Sequence, residues 1–246
     1  MIIIPARLQS TRLPRKILAP IGGIPMIIHT ANVAKEVDRV VIAVDEKEVQ
    51  EICKSYGFEA ILTKKTHDSG TDRIAECANI LGLKGEEMII NLQADEPFIQ
   101  KEIIDSLKNL MQEKIDEKGH LPFMGSCVKR ISQKDAQDPN IVKVVLNHRN
   151  EALYFSRSII PYDRDNVSFH QNLYFGHLGI YAFSARSLQE FCMLPSSTLE
   201  KIEKLEQLRA LENGKTIVMA NVKSESFGID TPEDWQKAQE YFKEKK

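Results

Sequence analysis

The first 35 residues contain no carboxylate, although the 246-residue chain holds 35 Asp+Glu against 33 Lys+Arg. At that acidic frequency so long a gap arises by chance about once in two hundred trials. Other absences close off whole classes of function. Cys53, Cys77, Cys127 and Cys192 form no C-x-x-C pair and the six histidines show no metal-ligand spacing, so neither a zinc site nor a disulfide framework is indicated. No apolar run approaches the roughly 18 residues of a membrane span. The N-terminal apolar run stops at Pro5, too short for the apolar region of a signal peptide. A net charge of −2 and a pI near 6.3 lack the broad basic excess of a nucleic-acid binder. The expectation is a soluble, reduced, cytoplasmic protein with no nucleic-acid and no membrane partner. The chain also lacks the G-x-x-x-x-G-K-[ST] phosphate cradle and the G-x-G-x-x-G dinucleotide turn.

What the acid-free stretch does contain is five basic residues, four of them close together. Arg7, Arg12, Arg15 and Lys16 follow the apolar run 1–4, so a strand empties into a loop suited to concentrated negative charge, a triphosphate above all. Without a glycine cradle, side chains rather than backbone amides would neutralise that charge. Through the N-terminal half, β-rich runs at 1–4, 39–44, 60–63 and 88–92 alternate with helical patterns at 26–35, 47–56 and 72–81. Pro25 suits the first position of the first of these helices. Such alternation predicts a mostly parallel sheet with helices on both faces and ligands at the C-terminal strand ends, where the basic loop, Asp45 and Asp95 fall.

From about residue 122 the pattern changes. Runs at 123–128, 141–146, 151–155 and 176–183 read as strands, with 148–150 as a hairpin turn and 164–171 as a loop. Leu199, Ile202, Leu205, Leu208 and Leu211 predict one apolar-striped helix ending at Asn213-Gly214, with Glu200–Lys204 as an i,i+4 pair. A strand at 217–220 precedes a final helix capped by Thr231, with Pro232 in its first turn. The length suits one large domain, or a core with a smaller appendage.

Asp95 follows an apolar strand within Gln93-Ala-Asp-Glu-Pro97; it is either a turn residue or a Mg²⁺ ligand beside a nucleotide. Asp230, ahead of the final helix, either favours that helix's N-terminus or supplies the second carboxylate a hard cation needs. Ser69 or Thr71 reads most simply as an N-cap, with a ligand-contacting loop as the sharper alternative. His177 and Tyr181 share a strand face, with a structural histidine as the plainer reading. Glu206 and Gln207 flank the apolar stripe, where a solvated face is the ordinary reading.

PARLQSTRLPRKIL (5–18), SGTDRIAE (69–76), NLQADEPFI (91–99), DPNIVKVV (138–145), ALYFSRSIIP (152–161), HLGIYAF (177–183), LEKIEKLEQLRALENG (199–214) and GIDTPEDW (228–235) stand in this order. Taken together they resemble the 3-deoxy-manno-octulosonate (Kdo) cytidylyltransferases, or CMP-Kdo synthetases, over the whole chain. The first motif alone is shared with other CMP-sugar synthetases; YFSR, HLGIY and LEQLRALE narrow it. The resemblance implies an α/β, Rossmann-like nucleotide-diphospho-sugar transferase fold. Residues 1–120 and 195–246 would form the nucleotide core, and 121–194 a smaller sugar-binding lobe that also dimerises. It implies a Mg²⁺-dependent enzyme that transfers CMP from CTP to the anomeric C2 hydroxyl of Kdo, releasing pyrophosphate, for lipopolysaccharide synthesis. Arg7, Ser10, Arg12 and Lys16 would contact phosphates, and Ser69, Thr71, Arg73 and Gln93 the nucleotide. Asp95 and Asp230 would ligate Mg²⁺, with Arg7 and Lys16 beside them in catalysis. Arg157, His177, Tyr181, Glu206 and Gln207 would line the sugar site, in a homodimer. Arg15 and Ala94 stand where the family commonly has glycine, which imposes strain if φ is positive there. The competing readings are a cytidylyltransferase for 8-amino-Kdo or a nonulosonate, and a non-catalytic nucleotide-binding regulator.

Overall fold

The structure, a computed structural model, describes residues 1–10, 12–165 and 173–244. Strand β1 (Ile2–Ala6) leads through the basic loop and a 3-10 turn at Lys16–Leu18 to a short hairpin, β2 (Pro20–Ile21) and β3 (Ile24–Pro25). Helix α1 (Met26–Lys35), β4 (Val40–Val44), α2 (Lys47–Ser55), β5 (Glu59–Leu62), α3 (Gly70–Ile80), β6 (Met88–Leu92) and α4 (Lys101–Lys118) follow. Then come β7 (Met124–Arg130), α5 (Gln133–Ala136), β8 (Lys143–Leu146), β9 (Ala152–Ser156), β10 (Phe175–Ser184) and α6 (Ala185–Met193). Helices α7 (Thr198–Glu203) and α8 (Leu208–Glu212), strand β11 (Ile217–Asn221) and helix α9 (Pro232–Glu244) complete the chain. No helix among the described residues is long and apolar enough to cross a membrane.

Contacts divide the chain into two compact units. The first comprises Met1–Lys84, Ile89–Asp105 and Glu225–Lys246, the second Gly85–Met88 and Ser106–Ser224. The expected lobe at 121–194 therefore falls in the second unit, which also takes 106–120 and 195–224. In the first unit β6, β1, β4 and β5 lie side by side, all parallel. β1 and β4 are buried at every position, which explains why they read as unbroken apolar runs. β5, the outermost of the four, buries only Ala60. The helix expected at 26–35 is α1; Pro25 stands just outside it as the N-cap. In the second unit β11 pairs parallel with β7, while β10 runs antiparallel to both β7 and β8. β8 and β9 form the expected hairpin, with Asn150 at φ 56° in its turn. The fold is α/β with a mostly parallel central sheet. Most of the expected loop at 164–171 lies outside the described residues.

One expected element is overturned. Residues 199–211 do not form a single striped helix but two short ones, broken at Lys204, whose φ of 56° and ψ of 46° no right-handed helix can continue. Ile202 is 73% exposed while Leu205 and Leu208 are buried, so the apolar residues share no one face. Glu200 does not pair with Lys204 either. Its carboxylate closes a capping box on Ser197 and takes two bonds from Arg209, at 2.6 and 2.9 Å. A bidentate pair this sheltered outweighs an exposed i,i+4 pair worth a few tenths of a kcal/mol, ~0.3–0.5. The pair ties α7 back onto α8 and forces the chain to turn between them.

Candidate active site

In the first unit, β1 releases the chain at Ala6 and the basic loop curls over the C-terminal strand ends. Asp45, at the end of β4, accepts the Leu8 amide at 3.1 Å and so pins the start of that loop. α3 begins beside it: Ser69 accepts the Asp72 amide as N-cap, and Gly70 sits so close to Pro5 that a Cβ would approach its ring to 3.3 Å. Together these segments enclose a cavity of about 310 Å³. Arg7, Ser10, Arg12, Lys16, Ser69, Arg73, Gln93, Asp95 and Asp230 all line it. Thr71 does not; it is buried in the first turn of α3. The N-terminus of α3 opens on this cavity, adding partial positive charge to that of the side chains.

Lys16 is the hub. Its ammonium lies 2.5 Å from Asp95 and 2.8 Å from Asp230, and Arg12 reaches Asp230 at 3.1 Å. The two carboxylates, 135 positions apart in sequence, are held together by the backbone: the Ile229 amide donates to the Asp95 carbonyl at 3.1 Å. Behind that bond, Ile229 packs with Ile21, Met26 and Ala238, and Trp235 of α9 donates to the Pro20 carbonyl at 3.0 Å. Thr231 caps α9 as expected. Asp234 accepts the Asp230 and Thr231 amides, which fixes the backbone beneath the Asp230 carboxylate.

Burial alone would lower the Lys16 pKa, but Asp95 and Asp230 outweigh it and hold the ammonium above its ordinary 10.5. Burial works the other way on Asp230, and Lys16 with Arg12 outweighs it to hold the carboxyl below its ordinary 3.8. The sign of the linkage follows for each. Asp230 contributes stability above its unfolded pKa, and that is lost as pH falls through the folded value; Lys16 contributes below 10.5, and loses it as pH rises past its folded value. Lys16→Met is therefore expected to lower stability on the order of 1–2 kcal/mol near neutral pH, allowing for solvent screening at half-exposed Asp230. The deficit should shrink as pH falls through the folded Asp230 value, which lies below 3.8. Urea unfolding at neutral and at acid pH measures this; a deficit that persists in full in acid would mean packing, not charge, is what Lys16 supplies.

Arg15 departs from the expected phosphate role. It does not line the cavity; its guanidinium pairs with Glu48 of α2 at 2.5 Å, and its backbone lies at φ 56° and ψ 31°. The strain foreseen for a replaced glycine is thus present at Arg15. Ala94 is not among the residues at positive φ, and its carbonyl accepts the Thr30 hydroxyl at 3.1 Å. Arg73 is 1% exposed, held by Thr63 Oγ1 at 2.7 Å and the Lys64 carbonyl at 3.1 Å. Burial lowers its pKa, Asp45 opposes that and nearby Arg7 adds to it. His67 is a lining residue that sequence reasoning passed over; Glu76, nearly two turns into α3, holds its Nε2. Its place two residues before Ser69 was the available signal.

In the second unit, His177 and Tyr181 do stand side by side, ring centroids 5.4 Å apart. Both are crowded by protein yet keep some surface open to solvent. Burial holds the His177 pKa down at about 3, and burial with Glu206 raises that of Tyr181. The Tyr181 hydroxyl donates to Gln207 Oε1 at 3.2 Å. Gln207, expected on a solvated face, is 2% exposed, and its buried Nε2 has no hydrogen-bond partner among the described residues. The break between α7 and α8 is what turns it inward. Arg157 is held elsewhere: Nε donates to the Glu203 carbonyl at 2.8 Å and Nη1 to the Pro139 carbonyl at 3.0 Å. Glu203 also takes the Arg157 amide and the Ser156 hydroxyl, a role with no sequence signal.

A family model described as Cytidylyltransferase matches residues 1–217. The 3-deoxy-manno-octulosonate cytidylyltransferase of Wolinella succinogenes is 57% identical over 98% of this chain and 99% of its own. That of a Nitratiruptor species is 56% identical over 96% and 97%. A solved structure described as CMP:2-keto-3-deoxy-manno-octonic acid synthetase complexed with CTP superposes with a TM-score of 0.89 at 37% identity, covering 100% of this chain and 98% of that one. A charged cavity at parallel strand ends and full-length identity above one half point the same way: the chain belongs to the 3-deoxy-manno-octulosonate cytidylyltransferases.

Proposed function

We propose that this protein transfers CMP from CTP to the C2 hydroxyl of 3-deoxy-manno-octulosonate, releasing pyrophosphate. The observation that carries the reading is the pair of carboxylates converging on Lys16 at the floor of a cavity rimmed by Arg7 and Arg12. The attacking oxygen forms a bond to the α-phosphorus while the bond to the β-phosphate bridge breaks, and the hydroxyl proton leaves to solvent. Charge accumulates on phosphate oxygens throughout, so positioning and electrostatics dominate. Arg7, Arg12 and Lys16 neutralise the triphosphate, and the α3 N-terminus with Ser69 receives phosphate oxygens. Gln93 is steered by its bond to Asn91 Oδ1 at 3.0 Å, which leaves its own oxygen free to accept from the nucleotide. Arg157, His177, Tyr181, Glu206 and Gln207 bind the sugar acid.

The donor set fits Mg²⁺. Among the described residues no three His, Cys, Asp or Glu side chains form a metal cage. Asp95 and Asp230 supply two carboxylates, and Mg²⁺ is ordinarily held by one or two carboxylates plus substrate phosphates. Bound there, the metal would withdraw charge from the α-phosphate and lower the pKa of the attacking hydroxyl. Lys16, which now bridges both carboxylates, would turn its ammonium toward the phosphates. We further read the protein as a cytoplasmic homodimer. Exposed Leu153, Tyr162 and Ile202 in the second unit support a partner of the same chain, and light scattering on the purified protein tests it.

The decisive experiment is pyrophosphate release from CTP with Kdo, with N-acetylneuraminate and with 8-amino-Kdo, each with and without EDTA. Release with Kdo alone, abolished by EDTA, is expected. Release only with another sugar would reassign the substrate, and CTP binding without release would leave a nucleotide-binding regulator.

A further inference from the structure

Ser126 of β7 stands where the pairing with β10 slips. Leu178 faces Cys127, but the next matched pair is Tyr181 with Ser126, so Gly179 and Ile180 bulge out of the ladder. The fully buried Ser126 hydroxyl fills that irregularity. It lies 2.8 Å from the Ile180 carbonyl, 3.3 Å from the Leu178 carbonyl and 2.9 Å from Nε2 of His177. A hydroxyl has one proton to donate. The carbonyls can only accept, so the proton goes to the bulge, to Ile180 at the shorter distance. The serine oxygen then offers Nε2 only lone pairs, and Nε2 must be the protonated nitrogen.

We propose that Ser126 is a positioning residue that locks His177 in its Nε2–H tautomer, so that Nδ1 presents a bare lone pair to accept a hydrogen bond from a hydroxyl of the sugar acid. This rests on the reading that His177 lines the sugar site. The ring plane is set independently, by Phe155 at 5.0 Å and Tyr181 at 5.4 Å between centroids. Burial keeps the imidazole neutral at physiological pH, so the tautomer, not the charge, decides whether this group donates or accepts. With the wrong tautomer the same ring in the same place would present an N–H, and a sugar hydroxyl would have to reverse its own donor role.

Full-length protein labelled with ¹⁵N-histidine tests the lock directly, with the His177 resonances assigned by their loss in His177→Gln. The expected spectrum has a protonated Nε2 and a bare Nδ1 in the wild type and in Ser126→Thr, and a tautomer mixture in Ser126→Ala. Kinetically, Ser126→Ala should raise the KM for Kdo about tenfold with the KM for CTP unchanged, and Ser126→Thr should restore it. A role limited to plugging the bulge would lower stability but leave the tautomer and the Kdo KM alone. A wild-type His177 protonated at Nδ1 overturns the proposal, even if Ser126→Ala fails to fold. An unchanged Kdo KM in His177→Gln overturns the placement of His177 in the sugar site, and the acceptor role with it, separately from the spectrum.

Discussion

Asp95→Asn and Asp230→Asn are each expected to lower kcat on the order of 10³-fold while leaving the fold intact. The substitution changes one oxygen to nitrogen, so volume and packing are kept and the lost quantity is negative charge. Two consequences of that loss oppose each other. Lys16 now bridges both carboxylates; with one neutralised, its ammonium is freer to meet the triphosphate, which favours binding. Against this, on the proposed reading the site would keep a single carboxylate for Mg²⁺, and a dication next to Lys16, Arg12 and Arg7 would then be repelled more than it is held. The second effect acts on the chemical step, so nucleotide binding should survive while turnover falls. Asp234→Asn is the control. Asp234 accepts the amides beneath Asp230 and returns the bond of the Thr231 cap on α9 without lining the cavity, so its loss should cost about 1 kcal/mol of stability and leave most of kcat. Single-turnover kinetics over a Mg²⁺ titration, with circular dichroism for the fold, decide the matter. Wild-type kcat at low Mg²⁺ in either folded variant would remove that carboxylate from the proposed metal site.

The site was legible where local chemistry speaks through local sequence. The acid-free basic loop, Ser69 at a helix start and Asp95 at a strand end each follow from neighbours within a few positions, and the strands behind them are buried on both faces, so they read as apolar runs. Asp45 was placed at the right strand end, yet its job there is to hold Leu8 and face Arg73, a task set by tertiary contacts. Arg15 shows the limit from the other side. Four cations in ten residues look alike in sequence, but Glu48 on α2 takes one of them away from the cavity. The helix expected at 199–211 failed for the same reason: its apolar spacing is regular, and only the long-range Arg209–Glu200 pair and the left-handed Lys204 reveal the break. Gln207 is buried as a result, against every expectation from its flanking charges. Ser126 gave no signal at all, because a serine in a strand reveals nothing of the bulge on the strand opposite.

Arg157→Ala is expected to reduce kcat/KM for Kdo about a hundredfold, on the order of 3 kcal/mol, with the KM for CTP changed little. A guanidinium has five N–H donors. Nε is used on the Glu203 carbonyl and one Nη1 hydrogen on the Pro139 carbonyl, so three remain, and the Nη1–Nη2 edge can still donate two parallel bonds to a carboxylate. The same two carbonyls fix the plane of the group before any ligand arrives, which removes side-chain entropy that would otherwise be lost on binding. Beneath it, buried Lys143 donates to the Asp138, Ile141 and Arg157 carbonyls at 2.8, 2.6 and 2.7 Å, so the backbone that presents the guanidinium is itself tied down. Arg157→Lys should recover only part of the loss, since a lysine keeps the charge but cannot hold the two carbonyls and a carboxylate in one plane. A lysine variant as active as wild type would mean the site needs only positive charge here. An alanine variant with unchanged Kdo kinetics would place Arg157 outside the sugar site and leave its carbonyl contacts as purely structural ties between 139 and 203.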